Sequence, residues 1–242
     1  MRSLTFAIRT LTRLPIGSGE LEREERSLLY YPLVGALYGA LYMALSFVPL
    51  PASIRGALVI ALYAYLSRGF HLDGLSDFAD GLGGGWTAER ALAIMRDSHI
   101  GAFGTIALIV ALLVQYSALL TLVDFPLLLF YVPVAGRLMV VLAASFLPYA
   151  REGEGSASRL VRGAKRRHAI APLVQVLLLT GVYWYVGSGL EATAALVFSL
   201  VAALVVMALA KRRLGGVTGD VLGAVEVVAE CAAMVGLLIP LA

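Results

Sequence analysis

The segment Gly104–Val123, GTIALIVALLVQYSALLTLV, runs for twenty residues without a charged side chain. A helix of about 20 apolar residues is long enough to cross the hydrocarbon core of a bilayer. The whole chain has the same character, since 60% of its 242 residues are hydrophobic, 14% are charged and the mean hydropathy is +0.87. A soluble domain of this length cannot bury so much apolar side chain, so the composition predicts a membrane protein over an unusually apolar soluble α protein.

Similar apolar runs recur along the chain, and their residues do not alternate with the period of two that a membrane β-barrel requires. Some runs are short or contain Gly and Pro, so we expect six or seven transmembrane helices. The predicted fold is a single all-α domain over residues 1–242, a polytopic membrane helical bundle. The runs lie at about 28–48, 56–70, 104–123, 126–147, 172–186, 192–210 and 221–241.

The distribution of Lys and Arg predicts the orientation of these helices. With the N-terminus in the cytoplasm, Arg55 falls outside and Arg137 within a run, while the basic loops after 148 and from Lys211 to Arg213 lie inside. This asymmetry follows the positive-inside rule. It places the segments at about 68–104, 148–171 and 211–220 on the cytoplasmic side of an inner membrane. Basic loops that set topology give no support to nucleic-acid binding.

The motif HLDGLSDFADGLGGG, residues 71–85, carries three aspartates in an otherwise apolar chain. On a helix Asp77 and Asp80 lie at about 40° and −20° from Asp73, so the carboxylates share one narrow face. Such like charges repel unless a cation sits among them, and oxygen ligands suit Mg²⁺, particularly beside a phosphate. We therefore predict Asp73, Asp77 and Asp80 as metal ligands, with a solvated acidic face as the alternative. His71 lies opposite them and reaches substrate only if the helix starts after it.

The glycines that follow, Gly81 to Gly85, predict an end to this helix. Thr87 is then expected to cap a short helix through AERALAIMRDS. Its end pairs Arg96, a phosphate-type donor, with Asp97, a fourth carboxylate. These two either join the acidic site or form a local surface pair.

Three charged residues fall inside apolar runs, where charge is costly: Arg137, Glu226 and Glu230. Each is a functional candidate by position, but a structural Arg–Glu pair satisfies the same physics. A secondary transporter with these residues along an ion path is one alternative function, although the sequence has no second copy of the acidic motif.

Four motifs in order, TRLP, HLDGLSDFADGLGGG, IMRDSHIGAFG and LGGVTGDVLGA, resemble the cobalamin synthase family. The resemblance implies a Mg²⁺-dependent membrane transferase for the last assembly step of vitamin B12, which joins adenosylcobinamide-GDP to α-ribazole, or its 5′-phosphate, and releases GMP. His99 stands where a basic Arg is expected, and Glu226 occupies a position that need not be acidic in relatives, which favours Glu230.

The resemblance also assigns residues. Its acidic motif falls on the three aspartates with His71 just ahead, its second motif on Arg96, Asp97 and Ser98, and its third on Thr218, Gly219 and Asp220. We predict catalytic roles for Asp77, Arg96 and Asp97. The residues predicted to contact substrate are His71, Arg9, Arg13, Arg137, Ser98, Thr218, Asp220 and Glu230.

A second enzyme class also matches in part, because Asp77-Phe-Ala-Asp80-Gly81 is similar to the start of the CDP-alcohol phosphatidyltransferase signature. No Ala-Arg follows at the required place and the later aspartates are missing, so phospholipid synthesis is the alternative enzyme function. A homo-oligomer or a complex with other enzymes of the pathway is left open by the sequence.

Overall fold

The computed structural model describes residues 2–17, 21–153 and 155–241, and the regular secondary structure in these ranges is helical apart from one isolated bridge between Tyr149 and Val217. This confirms the predicted all-α class. Short 3₁₀ helices precede α2 and α9 and follow α11. The α-helices of these ranges are α1 Arg2–Leu11, α2 Tyr31–Ser46, α3 Ala52–Leu66, α4 Phe70–Gly84, α5 Ala88–Ile94, α6 Ala102–Leu122, α7 Pro126–Phe146, α8 Ser158–Gly163, α9 Ile170–Tyr185, α10 Gly189–Leu214 and α11 Gly219–Leu238.

Six helical stretches in the described ranges are long and apolar enough to cross a membrane, in agreement with the predicted six or seven. Their outward side chains are large and apolar, among them Ile109 on α6, Leu178 on α9 and Val201 on α10. The shorter apolar helix α3 corresponds to the remaining predicted run, at about 56–70. The six stretches are Glu24–Ser46, Ala102–Leu122, Pro126–Phe146, Arg166–Tyr185, Gly189–Leu214 and Gly219–Leu241.

Helices α7 and α11 form the centre of the bundle. Of their most apolar windows, 83% and 72% are buried, against 28% to 44% for the other four stretches. Small residues allow the closest helix contacts: Gly35 and Gly39 on α2 meet the backbone of α7 at Pro133 and Phe130. Without a hydrophobic driving force between helices in lipid, such close backbone packing supplies much of the association energy.

One end of the bundle is held by Arg55, and we call it the Arg55 end. The Arg55 guanidinium donates hydrogen bonds to the carbonyl oxygens of Ser46 and Val123 and forms a 2.6 Å ion pair with Asp124. These contacts fix the α2–α3 turn against the α6–α7 turn.

The opposite end collects the polar segments of the sequence, and we call it the acidic end. The backbone N–H of Arg13 donates to Leu66 O, and Arg151 pairs with Asp220 at 2.8 Å. The segment after α1, the start of α4, the loop after α7 and the start of α11 therefore meet there.

Helix α4 corrects one expectation. It continues to Gly84, whereas the glycine run predicted an earlier end. The glycines are needed for packing, because a Cβ at Gly81 would overlap Met95 and one at Gly83 would overlap Phe103. Arg213 also donates to the carbonyl oxygens of Leu82 and Gly85 at the end of the helix. These contacts outweigh the unfavourable helix propensity of glycine.

Candidate active site

A large cavity of about 840 Å³, lined by Asp73 and Asp77, opens at the acidic end, and we call it the acidic cavity. Asp73 and Asp77 enter it from one face of α4, as their four-residue spacing predicts. Distant segments complete the wall: Thr10 comes from α1, Ser98 from the turn after α5, and Ser156 from the loop before α8. The cavity therefore joins segments that span most of the sequence.

The two carboxylates in this cavity lack partners. Neither Asp73 nor Asp77 forms a hydrogen bond or ion pair with the side chains that the structure describes. Burial first, and then the negative charges of Asp73, Asp220 and Asp80, raise the pKa of Asp77 to about 7. Such an accumulation of negative charge is stabilised by a bound cation.

The oxygen donors of this cavity fit a hard divalent cation such as Mg²⁺, which binds proteins through one or two carboxylates and takes its remaining ligands from water and phosphate. Residues 2–17, 21–153 and 155–241 contain no group of three or more His, Cys, Asp or Glu side chains arranged to hold a metal ion by themselves. Two carboxylates with substrate oxygens match that finding better than an all-protein cage does.

Asp80 has a different environment from the other two aspartates. Its buried carboxylate accepts hydrogen bonds from the backbone N–H of Gly101, at 2.7 Å, and of Gly104, at 2.9 Å. A Cβ on either glycine would overlap this carboxylate or Ser76. Asp80 thus satisfies the free N–H groups at the start of α6. The glycines of the IMRDSHIGAFG motif are explained by this contact, and the metal role of Asp80 stays a prediction that this geometry does not support.

Asp220 lies in the first turn of α11 and is fixed beside the cavity. It forms the 2.8 Å ion pair with Arg151 and accepts a 3.2 Å hydrogen bond from the Thr218 hydroxyl. The Thr218 oxygen also caps α11 by accepting from the N–H of Val221. Thr218 is fully buried, so its side chain serves the helix start, while Asp220 lies close enough to Asp73 and Asp77 to act on them electrostatically.

The second motif divides between two cavities. Ser98 lines the cavity of Asp73 and Asp77, but Asp97 lines a separate cavity of about 320 Å³ together with Asp80 and Arg90. The ring and backbone N–H of His99 hydrogen-bond to Asp97 and lower its pKa. Helix α5 begins after the Thr87 cap as predicted and ends at Ile94, so Arg96 and Asp97 lie in the turn, exposed to solvent.

The predicted N-terminal arginines do not line the acidic cavity. The Arg13 guanidinium lies 4.2 Å from the centre of the Tyr65 ring, and that of Arg9 lies 5.6 Å from the Phe6 ring. Arg68, which sequence reasoning did not assign, does line it. In the sequence, the signal that could have identified Arg68 is its position just before the acidic motif. In the structure, Arg68 also has a left-handed backbone, with φ of 58°.

The charged residues of the apolar runs form a buried cluster. Arg137 Nη1 lies 2.6 Å from Glu226 Oε1 and also contacts Glu230 Oε1. The other oxygen of Glu226 lies 2.6 Å from His71 Nδ1 and accepts a 2.7 Å hydrogen bond from the Tyr63 hydroxyl. These groups are buried against one another, so the geometry favours the structural alternative, and substrate roles for Arg137, His71 and Glu230 stay predictions without support from it.

Fold and cavity together define a multi-pass helical membrane protein with a carboxylate-lined site at one end of its bundle. The family model of cobalamin-5-phosphate synthase matches residues 3–238 of the chain. The chain therefore belongs to the cobalamin-5-phosphate synthase family, and it is a transferase of cobalamin biosynthesis.

Two relatives of this chain carry the same name. An adenosylcobinamide-GDP ribazoletransferase of Chlorobium phaeovibrioides is 40% identical over 238 residues, which cover 95% of this chain and 94% of the relative. The protein of that name from Syntrophobacter fumaroxidans is 40% identical over 232 residues, with 91% of each chain covered. No solved structure matches the chain.

Proposed function

We propose that this chain joins adenosylcobinamide-GDP to α-ribazole, or to α-ribazole 5′-phosphate, and releases GMP as the last assembly step of cobalamin. The observation that carries the proposal is the pair of unpartnered carboxylates, Asp73 and Asp77, in a cavity large enough for a diphosphate. The names of the relatives supply the substrate class.

The transferred group is the phosphoryl group that bears cobinamide. The 3′-hydroxyl oxygen of ribazole forms a bond to the phosphorus of this group. The bond between that phosphorus and the bridging oxygen of the diphosphate breaks, and GMP leaves with the electron pair of the broken bond. The hydroxyl proton passes to water, because a loose phosphoryl-transfer transition state needs little help from a strong base. The task of the protein is to place the groups in line and stabilise negative charge.

The residues of the cavity supply these functions. Asp73 and Asp77 would hold Mg²⁺, which when bound neutralises charge on the diphosphate oxygens. The hydroxyls of Thr10, Ser98 and Ser156 offer hydrogen bonds to phosphate and sugar oxygens. Arg68 donates from Nη2 to the carbonyl oxygens of Arg9 and Thr12, and its other guanidinium N–H groups are offered to phosphate. Asp220, fixed by Arg151, strengthens the negative field that draws the cation in.

We also propose that this chain spans the inner membrane of the cell and that its acidic end faces the cytoplasm. The basic residues of the 148–171 loop and of Lys211–Arg213 belong to this end, whereas Arg55 marks the other. The positive-inside rule supports that orientation.

A purified preparation of the full chain tests this function. With adenosylcobinamide-GDP, α-ribazole and Mg²⁺ we expect equal amounts of GMP and cobalamin, and with a chelator we expect neither until Mg²⁺ is restored. Product formation that ignores the chelator would contradict the metal site. Turnover of CDP-diacylglycerol with an alcohol, and none of the corrinoid, would instead favour the phosphatidyltransferase alternative.

A further inference from the structure

A small apolar pocket of about 110 Å³ adjoins the acidic cavity. Three residues line both spaces: Thr10, Phe70 and Ser156. A ligand that occupies the pocket can therefore extend into the acidic cavity past these shared side chains.

The pocket wall is mainly aromatic and aliphatic, with residues from six α-helices and from the 3₁₀ helix before α2. The imidazole and the carboxylate in the wall have partners in the protein, since His71 lies 2.6 Å from Glu226, and Glu24 lies 3.3 Å from Arg159. By contrast, the Thr10 and Ser156 hydroxyls form no side-chain hydrogen bond with the described residues. The apolar side chains used below are Phe6, Phe70, Val140, Leu160 and Leu222.

The substrates of the proposed function offer three ring systems to such a pocket. The corrin macrocycle is far too large for it. Guanine carries donors and acceptors around its edge, and an apolar wall would leave them without partners at a high desolvation cost. The dimethylbenzimidazole base of ribazole is flat, mostly apolar and has a single free ring nitrogen, which one of the two shared hydroxyls can meet.

We propose that this pocket binds the benzimidazole base of α-ribazole and thereby holds the ribose 3′-hydroxyl at the edge of the acidic cavity. The proposal rests on the proposed function and deepens it, because it assigns the selection of the lower base to side chains of α1, α4, α7, α8 and α11. Pocket shape then provides the selectivity, since one methylene in an apolar pocket changes discrimination by about 10–200-fold.

Paired truncations of two buried leucines test the assignment. Leu222→Ala removes pocket wall, and we expect the KM for α-ribazole to rise about tenfold or more while the KM for adenosylcobinamide-GDP stays within about twofold. Leu214→Ala, which truncates an equally buried leucine at the end of α10 outside the pocket, should leave both KM values unchanged. Equal changes in both KM values for Leu222→Ala, or no change in either, would overturn the proposal.

A labelling measurement separates this pocket from the function itself. Ala157 lines the pocket, and Ala157→Cys in a Cys231→Ser background provides the only thiol. We expect α-ribazole to slow its reaction with a maleimide at least fivefold and GMP to have no effect. Protection without any cobalamin synthesis would support the pocket and refute the proposed reaction. Synthesis without protection would refute the pocket alone.

Discussion

Asp77 and Asp80 are three residues apart on one helix, yet their partners differ completely. Asp77 faces the acidic cavity without a partner, and Asp80 is held by two backbone N–H groups of α6. The same type of side chain therefore contributes negative charge to the acidic cavity in one case and caps a helix in the other.

Asparagine substitutions separate these two roles. Asp77→Asn should lower kcat about 10²–10³-fold and raise the Mg²⁺ concentration for half-maximal rate, because it removes a charge from the site. Asp80→Asn should leave that Mg²⁺ concentration unchanged and lower the unfolding temperature, since it weakens the cap by about 1 kcal/mol or more. Rates across a Mg²⁺ titration and thermal unfolding in detergent measure both. A shift in Mg²⁺ dependence for Asp80→Asn would instead restore Asp80 as a metal ligand.

At the scale of elements, α4 is positioned by close contact with α11. An ideal Cβ on Gly74 would lie 2.7 Å from the carbonyl oxygen of Asp220 and 3.0 Å from its Cα. Only a glycine lets the two backbones approach so closely, and this approach sets the separation of Asp73 and Asp77 from Asp220.

Gly74→Ala should force the two helices apart. We expect a loss of about 1–3 kcal/mol of stability, as for other overpacked sites, together with reduced kcat. Gly181→Ala is the matched control, because Gly181 lies in α9 with no atom within 4 Å of its ideal Cβ. The control should unfold at the same or a higher temperature, since alanine favours a helix by about 1 kcal/mol. Equal unfolding temperatures for both variants would show that the α4–α11 contact tolerates a methyl group.

The Arg137 cluster joins α3, α4, α7 and α11 in the interior. Arg137 also lies over the Tyr38 ring of α2, with its Cζ 4.4 Å from the ring centre. Removing one member leaves buried charges without a partner, which costs about 3–5 kcal/mol, whereas replacing the whole set with neutral groups is far less costly.

Arg137→Met should therefore lower the unfolding temperature strongly, and the triple variant with Glu226→Gln and Glu230→Gln should recover much of it. Both are measured by thermal unfolding in the same detergent. If Arg137→Met instead kept the unfolding temperature of the unsubstituted protein but bound adenosylcobinamide-GDP more weakly, the result would support the substrate contact that the sequence predicts for Arg137.

At the scale of the whole molecule, the described helices carry polar segments to opposite ends. Pro49, in the turn between α2 and α3, belongs to the Arg55 end, and Gly153 follows α7 at the acidic end. If the acidic end faces the cytoplasm, these two exposed positions lie on opposite sides of the membrane.

Cysteine labelling measures this orientation. In a Cys231→Ser background, Pro49→Cys should react with a membrane-impermeant maleimide in intact spheroplasts, and Gly153→Cys should react only after the membrane is opened. The cobalamin synthesis of each variant provides the control for correct folding. The reverse labelling pattern would place the acidic end outside the cytoplasm.

The sequence alone determined that this protein lies in a lipid bilayer, and it determined much of the local structure. Apolar runs of the length of a bilayer predicted the helices, the spacing of Asp73 and Asp77 predicted their common face, and Thr87 predicted the start of α5. These features depend on composition, on helix periodicity and on neighbours within a few residues, all of which a sequence displays directly.

Tertiary structure decided how the polar groups are paired. Asp80 meets Gly101 and Gly104, and Arg137 meets glutamates on α11 about ninety residues away. Burial makes such pairing obligatory, but helix periodicity cannot say which distant helix supplies the partner. The glycines after Asp80 stay helical for the same reason, since the side chains that pack on them come from α5 and α6.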